Sequence, residues 1–203
     1  MAKSKIKGTA RQAQTARTRE QVVMAALACF IEHGFHQTSM RMVADTAGVS
    51  LGNIYNHFQS KEELIAEIAA LEADELRGPL AALQAAPDPL AGIDAFVAAR
   101  VEQAGRREDV ILAAEVIAEA VRNADIAKRF LDNRTLAVGV LADVLRRGQA
   151  LNVIDAMLPV EPTAEFILDA VDGAALRCVL TREQPDRDTI AALRTLLKKC
   201  LSS

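Results

Sequence analysis

Two amide side chains, Asn53 and Asn56, stand three positions apart in the stretch Gly48–Lys61, and their type and spacing could recognise nucleic acid. Residues three apart share one face of a helix, and an amide can pair with the N6 and N7 edge of adenine in the major groove of DNA. In the same stretch, Leu51 could touch a thymine methyl group and Gly52 would permit close approach to the duplex. Both amides could equally reach a phosphate, so base contact and phosphate contact both stay open.

A second candidate site is a pair of carboxylates, Glu115 and Glu119, four positions apart on one face of an otherwise apolar helix. As a functional pair they would receive a cationic or hydroxyl-bearing ligand. Phe96 and Arg100, four apart on the preceding helix, could line the same cavity. The alternative is that the carboxylates form a solvated stripe, or pair with Arg122 or with an arginine of another helix.

The sequence offers little support for a catalytic site, a phosphate-binding loop or a metal site. All three histidines, His33, His36 and His57, lie in the first part of the chain, away from any plausible nucleophile or carboxylate pattern. The sequence has no Gly-rich phosphate loop and no Cys-x-x-Cys motif, and its three cysteines lack metal-ligand spacing. We therefore expect no enzyme activity, no cofactor and no metal site.

The elements that would position the amides are predicted by capping signals. Gly48 suits the left-handed residue that ends one helix, and Ser50 is a good N-cap for the next. Ile54 and Phe58 then share the inner face of that short helix. Thr38 can cap the helix before Gly48, so the pattern predicts a helix-turn-helix, preceded by a helix from Thr18 that stops at Gly34.

This pattern resembles the N-terminal signature of the tetracycline-repressor (TetR) family of bacterial regulators. The match runs from about residue 17 to residue 71, roughly a quarter of the chain, with fixed spacing throughout. The residues that carry it are Phe30, Gly34-Phe35, Thr38, Val43-Ala44, Ala47-Gly48-Val49-Ser50, Gly52, Tyr55, His57-Phe58 and Ser60-Lys61-Glu62-Glu63-Leu64.

The resemblance implies that Tyr55 and His57 contact phosphates. Lys61, at the start of a helix, would direct its charge and free N–H groups toward a phosphate, and Thr38 and Arg41 would act in the same way one helix earlier. The complete expected DNA-binding set is Thr38, Arg41, Ser50, Leu51, Gly52, Asn53, Tyr55, Asn56, His57 and Lys61.

Charge is distributed unevenly along the chain. Residues 1–61 carry eight Lys or Arg against three Asp or Glu, whereas residues 62–203 carry sixteen against twenty-four. Because residues 1–61 are basic and residues 62–203 are acidic, the charge distribution favours a polyanion partner for residues 1–61 alone. Residues 1–16 form a basic arm, expected to be flexible, which either follows phosphates or only improves solubility. Without an apolar span of about 18 residues or an apolar signal core, we expect a cytoplasmic protein.

The remaining sequence has helical periodicity throughout. We predict an all-α fold in which residues 17–77 form the DNA-binding domain and residues 78–203 form a bundle for effector binding and dimerisation. The helix beginning at Lys61 should end near Pro79, and the segment 109–122 should be central to the bundle. The broadly apolar segments 162–180 and 186–201 should pair across a two-fold axis. The expected interface residues are Leu176, Val179, Leu193 and Leu197.

These features predict a sequence-specific transcriptional regulator. The resemblance implies a homodimeric repressor that reads a near-palindromic operator and is released by a small molecule. The alternative is an architectural or cell-division-linked DNA-binding protein with the same fold and no effector.

Overall fold

The computed structural model describes residues 2–104, 107–181 and 187–202, and within these ranges it has nine α-helices and no β-strand. Side chains are described in the same ranges except at 2–12, 103–104, 107–110, 113, 175, 178–179 and 187. The all-α prediction is confirmed. The helices are α1 Ala2–His33, α2 Met40–Ala47, α3 Leu51–Tyr55, α4 Lys61–Ala85, α5 Pro89–Ala104, α6 Arg107–Ala120, α7 Ala124–Ala150, α8 Val160–Thr181 and α9 Arg187–Leu201.

The chain divides into two compact units. The first comprises Met1–Ala70 and Glu115–Ala127, and the second comprises Leu71–Ala114 and Lys128–Ser203. Helices α4, α6 and α7 therefore each contribute residues to both units. Glu115–Ala127 groups with the N-terminal residues in this division. The expected domain boundary at residue 77 stays a prediction.

Most buried side chains of the first unit come from α1, α2, α3 and α4 and from the residues that follow α3. Phe30, Ile54, Phe58 and Leu64 are each no more than 1% exposed. Burial of one such side chain contributes about 1.5–3 kcal/mol. Five-residue α3 is therefore held by its packing rather than by its own helical propensity.

The start of α1 differs from expectation. The helix was predicted to open at Thr18, after a flexible arm, but it begins at Ala2. The intervening residues are rich in Ala, Lys, Arg and Gln and contain no proline. These residue types favour a helix, and the helical conformation extends back to Ala2. The predicted end is found: α1 stops at His33, and Gly34 has a φ of 80°.

In the second unit, a cluster of buried apolar side chains joins α4, α5, α7, α8 and α9. Helix α4 was predicted to end near Pro79 but continues through it to Ala85. Leu76, Leu80 and Leu83, spaced along one face, are buried in the cluster, and this burial opposes the cost of an internal proline, about 3 kcal/mol. Arg147 also caps the C-terminus of α4 by donating to the carbonyls of Gln84 and Ala86, at 2.8 Å each.

Helix α6 was predicted to be central to a bundle, and this is wrong for its last turns. Ile117 is 63% exposed, and Val121, just after the helix, is 83% exposed. Among the α6 side chains that are described, Val116 and Glu119 are the buried ones. A nearly continuous apolar pattern does not reveal which face packs.

Candidate nucleic-acid interface

The turn between α2 and α3 is defined by two caps. Gly48 ends α2 in the left-handed conformation, with a φ of 66°, and the Val49 N–H donates to the Ala44 carbonyl at 3.0 Å. Ser50 begins α3, where its Oγ accepts a hydrogen bond from the Asn53 N–H at 3.2 Å. These contacts form the predicted helix-turn-helix and orient α3.

Helix α3 presents its polar residues outward. Leu51 and Tyr55 are exposed, as are Gly52 and Asn56, while Asn53 is half-buried. A Cβ added at Gly52 would meet no atom within 4 Å among the described residues, so this part of the helix is open to close approach. The structure therefore brings the predicted base-reading residues together on one accessible surface.

Of the residues expected to contact phosphate through α2, Arg41 is exposed but Thr38 is not. Thr38 is 2% exposed, and its Oγ1 lies 2.8 Å from the Gly34 carbonyl and 3.1 Å from the Cys29 carbonyl. The cap of α2 is instead Ser39, whose Oγ accepts from the Met42 N–H. Thr38 therefore lies against the end of α1, with its hydroxyl within hydrogen-bond distance of both carbonyls.

Lys61 also has a different environment from the one expected. Its Nζ donates to the Phe35 carbonyl at 2.7 Å and lies 4.4 Å from the centre of the Phe35 ring. A cation at this distance from an aromatic face is attracted by the ring. The ammonium group is therefore engaged within the first unit. The phosphate contact expected from the N–H groups at the start of α4 stays a prediction.

An ion pair that sequence reasoning missed fastens the end of α3. Arg19 of α1 donates to both carboxylate oxygens of Glu67 in α4, at 3.0 and 2.6 Å, and to the His57 carbonyl at 3.2 Å. Its guanidinium carbon lies 4.4 Å from the centre of the Phe58 ring. The hydrogen bond from Arg19 lowers the pKa of the Glu67 carboxyl. No local pattern reveals a pair separated by 48 positions.

The carboxylates that were expected to bind a ligand instead contact the connection between α1 and α2. The Phe35 N–H donates to Glu115 Oε2 at 2.8 Å. Glu119 Oε2 lies 3.2 Å from His36 Nε2, which also lies 3.2 Å from Arg122 Nη1. Both glutamates belong to the first unit, whereas Phe96 and Arg100 belong to the second.

Phe96 and Arg100 have separate environments in the second unit. Phe96 is 4% exposed, contributes to the core cluster and borders an open groove between α4 and α5. Arg100 lies near the Glu72 carboxyl, which accepts a hydrogen bond from Asn133 at 3.0 Å. Burial raises the pKa of Glu72, and Asn133 and Arg100 oppose that rise.

The residues expected at a dimer interface divide into two groups. Leu176 of α8 is 49% exposed. In α9, however, Leu197 is 8% exposed within the core cluster and Leu193 packs against that cluster, so these two face inward. The side chain of Val179 lies outside the described residues. The large exposed apolar side chains of α8 and α9 also include Phe166, Leu180 and Leu196.

Two further observations concern the described residues only. No group of three His, Cys, Asp or Glu side chains among them is arranged to hold a metal ion. None of the helices over these residues is both long and apolar enough to cross a membrane.

The capped turn, the outward face of α3 and the helical second unit define a helix-turn-helix DNA-binding regulator. The chain belongs to the TetR family of bacterial regulators. Residues 22–68 match the family model described as "Bacterial regulatory proteins, tetR family". Residues 89–202 match "BetI-type transcriptional repressor, C-terminal". The predicted family, DNA-binding function and absence of enzyme activity are confirmed.

Known relatives are similar over most of the chain. The HTH-type transcriptional regulator UidR of Escherichia coli K12 is 28% identical over 169 residues, covering 80% of this chain and 82% of UidR. Salmonella enterica GusR superposes with a TM-score of 0.77 at 24% identity, over 91% of this chain and 95% of GusR. The regulator FadR of Bacillus subtilis, solved in complex with stearoyl-CoA, has a TM-score of 0.77 at 19% identity, over 90% of this chain and 97% of FadR.

Proposed function

We propose that this regulator is a homodimeric repressor that binds a near-palindromic operator in the cytoplasm and is released by a small molecule bound in its second unit. The proposal rests above all on one observation: residues 89–202 match the C-terminal domain of BetI-type repressors. FadR of Bacillus subtilis, which shares the fold, was solved with stearoyl-CoA, and this supports an effector of some kind for the present chain.

In this proposal the outer face of α3 enters the major groove. Leu51, Asn53 and Asn56 contact base edges, and Gly52 allows the helix backbone close to the duplex. Tyr55 and His57, with Ser50, contact phosphates at the two ends of α3. Arg41 and the N–H groups at Lys61 contact phosphates from the neighbouring helices.

The dimer is supported by the outward face of α8. Phe166, Ala170, Gly173, Leu176 and Leu180 follow one another at intervals of three or four positions, and the large members are 66%, 49% and 74% exposed. Residues so spaced form a continuous stripe along one side of a helix. A Cβ at Gly173 would meet nothing within 4 Å among the described residues, so a second α8 can approach closely at that point. Leu196 of α9 is also exposed, at 61%.

The effector site is proposed for the second unit without assignment to Glu115 and Glu119, because both carboxylates contact the first unit. The polar groups around Arg100, namely Glu72 and Asn133, remain candidates for effector contact alongside the groove next to Phe96.

The test begins with selection of binding sites from random-sequence DNA by the purified protein. The proposal expects one enriched motif with two-fold symmetry, bound by a dimer. A small-molecule screen on the selected duplex should then find compounds that lower its affinity. Many unrelated sites, and no compound that causes release, would instead support an architectural DNA-binding protein.

A further inference from the structure

The backbone of Phe35, in the first unit, is held at both its N–H and its carbonyl group. Phe35 lies between α1 and α2, and its N–H donates to Glu115 Oε2 of α6 at 2.8 Å. Its carbonyl accepts from Lys61 Nζ of α4 at 2.7 Å. The connection that leads into the helix-turn-helix is therefore fixed by a carboxylate from one helix and an ammonium group from another. Hydrogen bonds of this charge-assisted type are the strong ones.

Gly34 gives the Glu115 carboxylate room to reach this peptide. A Cβ at Gly34 would stand 3.3 Å from Glu115 Oε2 and 3.4 Å from Oε1, at or below the lower limit of ordinary van der Waals contact. The φ of Gly34, 80°, is also rare for residues with a side chain. Close packing of a carboxylate against the backbone at the end of α1 is electrostatically unfavourable, because a helix C-terminus carries partial negative charge. The hydrogen bond from the Phe35 N–H offsets that cost.

The held peptide is continuous with the start of α2. The Gly34 carbonyl accepts hydrogen bonds from the Thr38 N–H at 3.2 Å and from Thr38 Oγ1 at 2.8 Å. Ser39, the next residue, caps α2. The Phe35 ring is 4% exposed and lies 5.2 Å from the Phe30 ring. A movement of the Phe35 peptide would therefore be transmitted to α2, which packs against α3.

We propose that Glu115 is a positioning residue for DNA binding: through the Phe35 N–H it fixes the connection between α1 and α2, and thereby the position of α2. This inference rests on the proposed function, because it assumes that the first unit binds an operator. It gives Glu115 a role in which the carboxylate contacts neither DNA nor effector.

The test compares three substitutions at Glu115, using the full-length protein and the duplex that the wild type selects from random-sequence DNA. Glu115→Ala removes the acceptor, and Glu115→Asp keeps the charge but shortens its reach. Both should lower the affinity for DNA by between about 5-fold and 150-fold, the usual range of coupling between sites. Glu115→Gln retains an acceptor oxygen but makes a weaker, neutral hydrogen bond, so its loss of affinity should be clearly smaller than that of Glu115→Ala. Glu102→Ala, which removes an exposed carboxylate from α5, should bind as the wild type does.

Amide hydrogen exchange at Phe35, measured by NMR without DNA, reports on the proposed contact itself. Exchange should accelerate in the Ala and Asp variants and stay slow in the Gln variant, while the Gly34 amide, bonded to the Phe30 carbonyl at 2.9 Å, should remain protected in all of them. If Glu115→Ala does not fold, the test relies on the comparison of Glu115→Asp with Glu115→Gln.

Two results would overturn the inference. In one, the Asp and Ala variants bind DNA as tightly as the wild type does. In the other, the Gln variant loses as much affinity as the Ala variant, which would show that charge and not the hydrogen bond matters. If the wild type selects no DNA, the proposed function itself fails, and the exchange measurement still decides whether the contact forms.

Discussion

Replacing Arg19 by Met would remove the contacts that fasten the end of α3 to α1 and α4, while keeping most of the aliphatic side chain. The wild-type guanidinium makes two hydrogen bonds to the Glu67 carboxylate and one to the His57 carbonyl. It also packs over the Phe58 ring. The substitution tests whether this contact holds α3 in place.

The expected loss follows from the geometry and the exposure. Hydrogen bonds to charged groups contribute about 1.5–3 kcal/mol, but exposed ion pairs contribute only about 0.2–1 kcal/mol. The Arg19 and Glu67 side chains are 41% and 31% exposed, so we place the loss at about 1–2 kcal/mol, between those limits. For a chain of this length, a loss of that size lowers the melting temperature by about 2–8 °C.

The assay is thermal unfolding, with Arg17→Met as the matched control. Arg17 is exposed and lies two positions away, so both variants lose one positive charge from the same segment. Arg19→Met should melt at the lower temperature and bind DNA more weakly than the control. Equal melting temperatures and equal affinities in the two variants would refute the argument that this contact positions α3.

The pH dependence gives an independent check. The pKa of Glu67 is lower in the folded protein than its ordinary value because of the hydrogen bond from Arg19. The folded state therefore binds this proton less readily, and the contribution is complete above the unfolded pKa, about 4.3. It is lost as the pH falls through the lowered pKa. The difference in free energy of unfolding between the wild type and Arg19→Met should thus be full at neutral pH and should shrink as the pH falls. A difference that increases as the pH falls would contradict the stabilising role of the contact between Arg19 and Glu67.

Three further predictions concern the dimer and the DNA contacts. Leu176→Glu should yield monomers in sedimentation while Leu151→Glu, equally exposed on the turn after α7, stays dimeric; a dimeric Leu176 variant would place the interface elsewhere. Asn53→Ala should relax base preference at one position by about 1–3 kcal/mol. If the selected motif is unchanged, the Asn53 amide contacts a phosphate and not a base. Lys61→Met should lower the free energy of unfolding because it removes the contacts with Phe35. It should leave the salt dependence of DNA binding nearly unchanged. A salt slope reduced by about one unit would show that the Lys61 ammonium does contact a phosphate.

Local signals predicted the helix-turn-helix well because its geometry is set by short-range contacts. Gly48 needs a left-handed conformation, Ser50 caps the helix that follows it, and Ile54 and Phe58 are four apart on one face. Each requirement is met within a few residues along the chain, so the residue types and their spacing are sufficient.

Contacts between distant positions were not predictable in the same way. Glu115 meets Phe35 across 80 positions, and nothing in the local pattern distinguishes this partner from a ligand or from solvent. The ammonium of Lys61 was expected to point to DNA because a helix start attracts phosphate, but the nearer Phe35 carbonyl and ring engage it. In each case a polar side chain met a group from another helix that only the folded chain brings near.

The orientation of apolar helices was a further limit. Leu193 and Leu197 were expected at the dimer interface, whereas both pack inward and Leu196 is the exposed leucine of α9. Periodicity identifies an apolar face, but when a helix is apolar on more than one side it does not tell which side meets the core. The continuation of α4 through Pro79 has a similar origin, because tertiary burial of its leucines outweighed a local breaker.

The central claim is that the outer face of α3 reads DNA in a two-fold symmetric pair. Selection from random-sequence DNA by the wild type and by Asn53→Ala, with the stoichiometry of the bound complex measured by sedimentation, tests it most directly. For the wild type we expect one near-palindromic motif, bound by dimers, with half-sites whose centres are separated by one or more turns of about 10–10.5 base pairs. For Asn53→Ala we expect weaker base preference at a symmetric pair of positions in that motif. A motif without symmetry that is bound by a monomer and unchanged in the variant would contradict it.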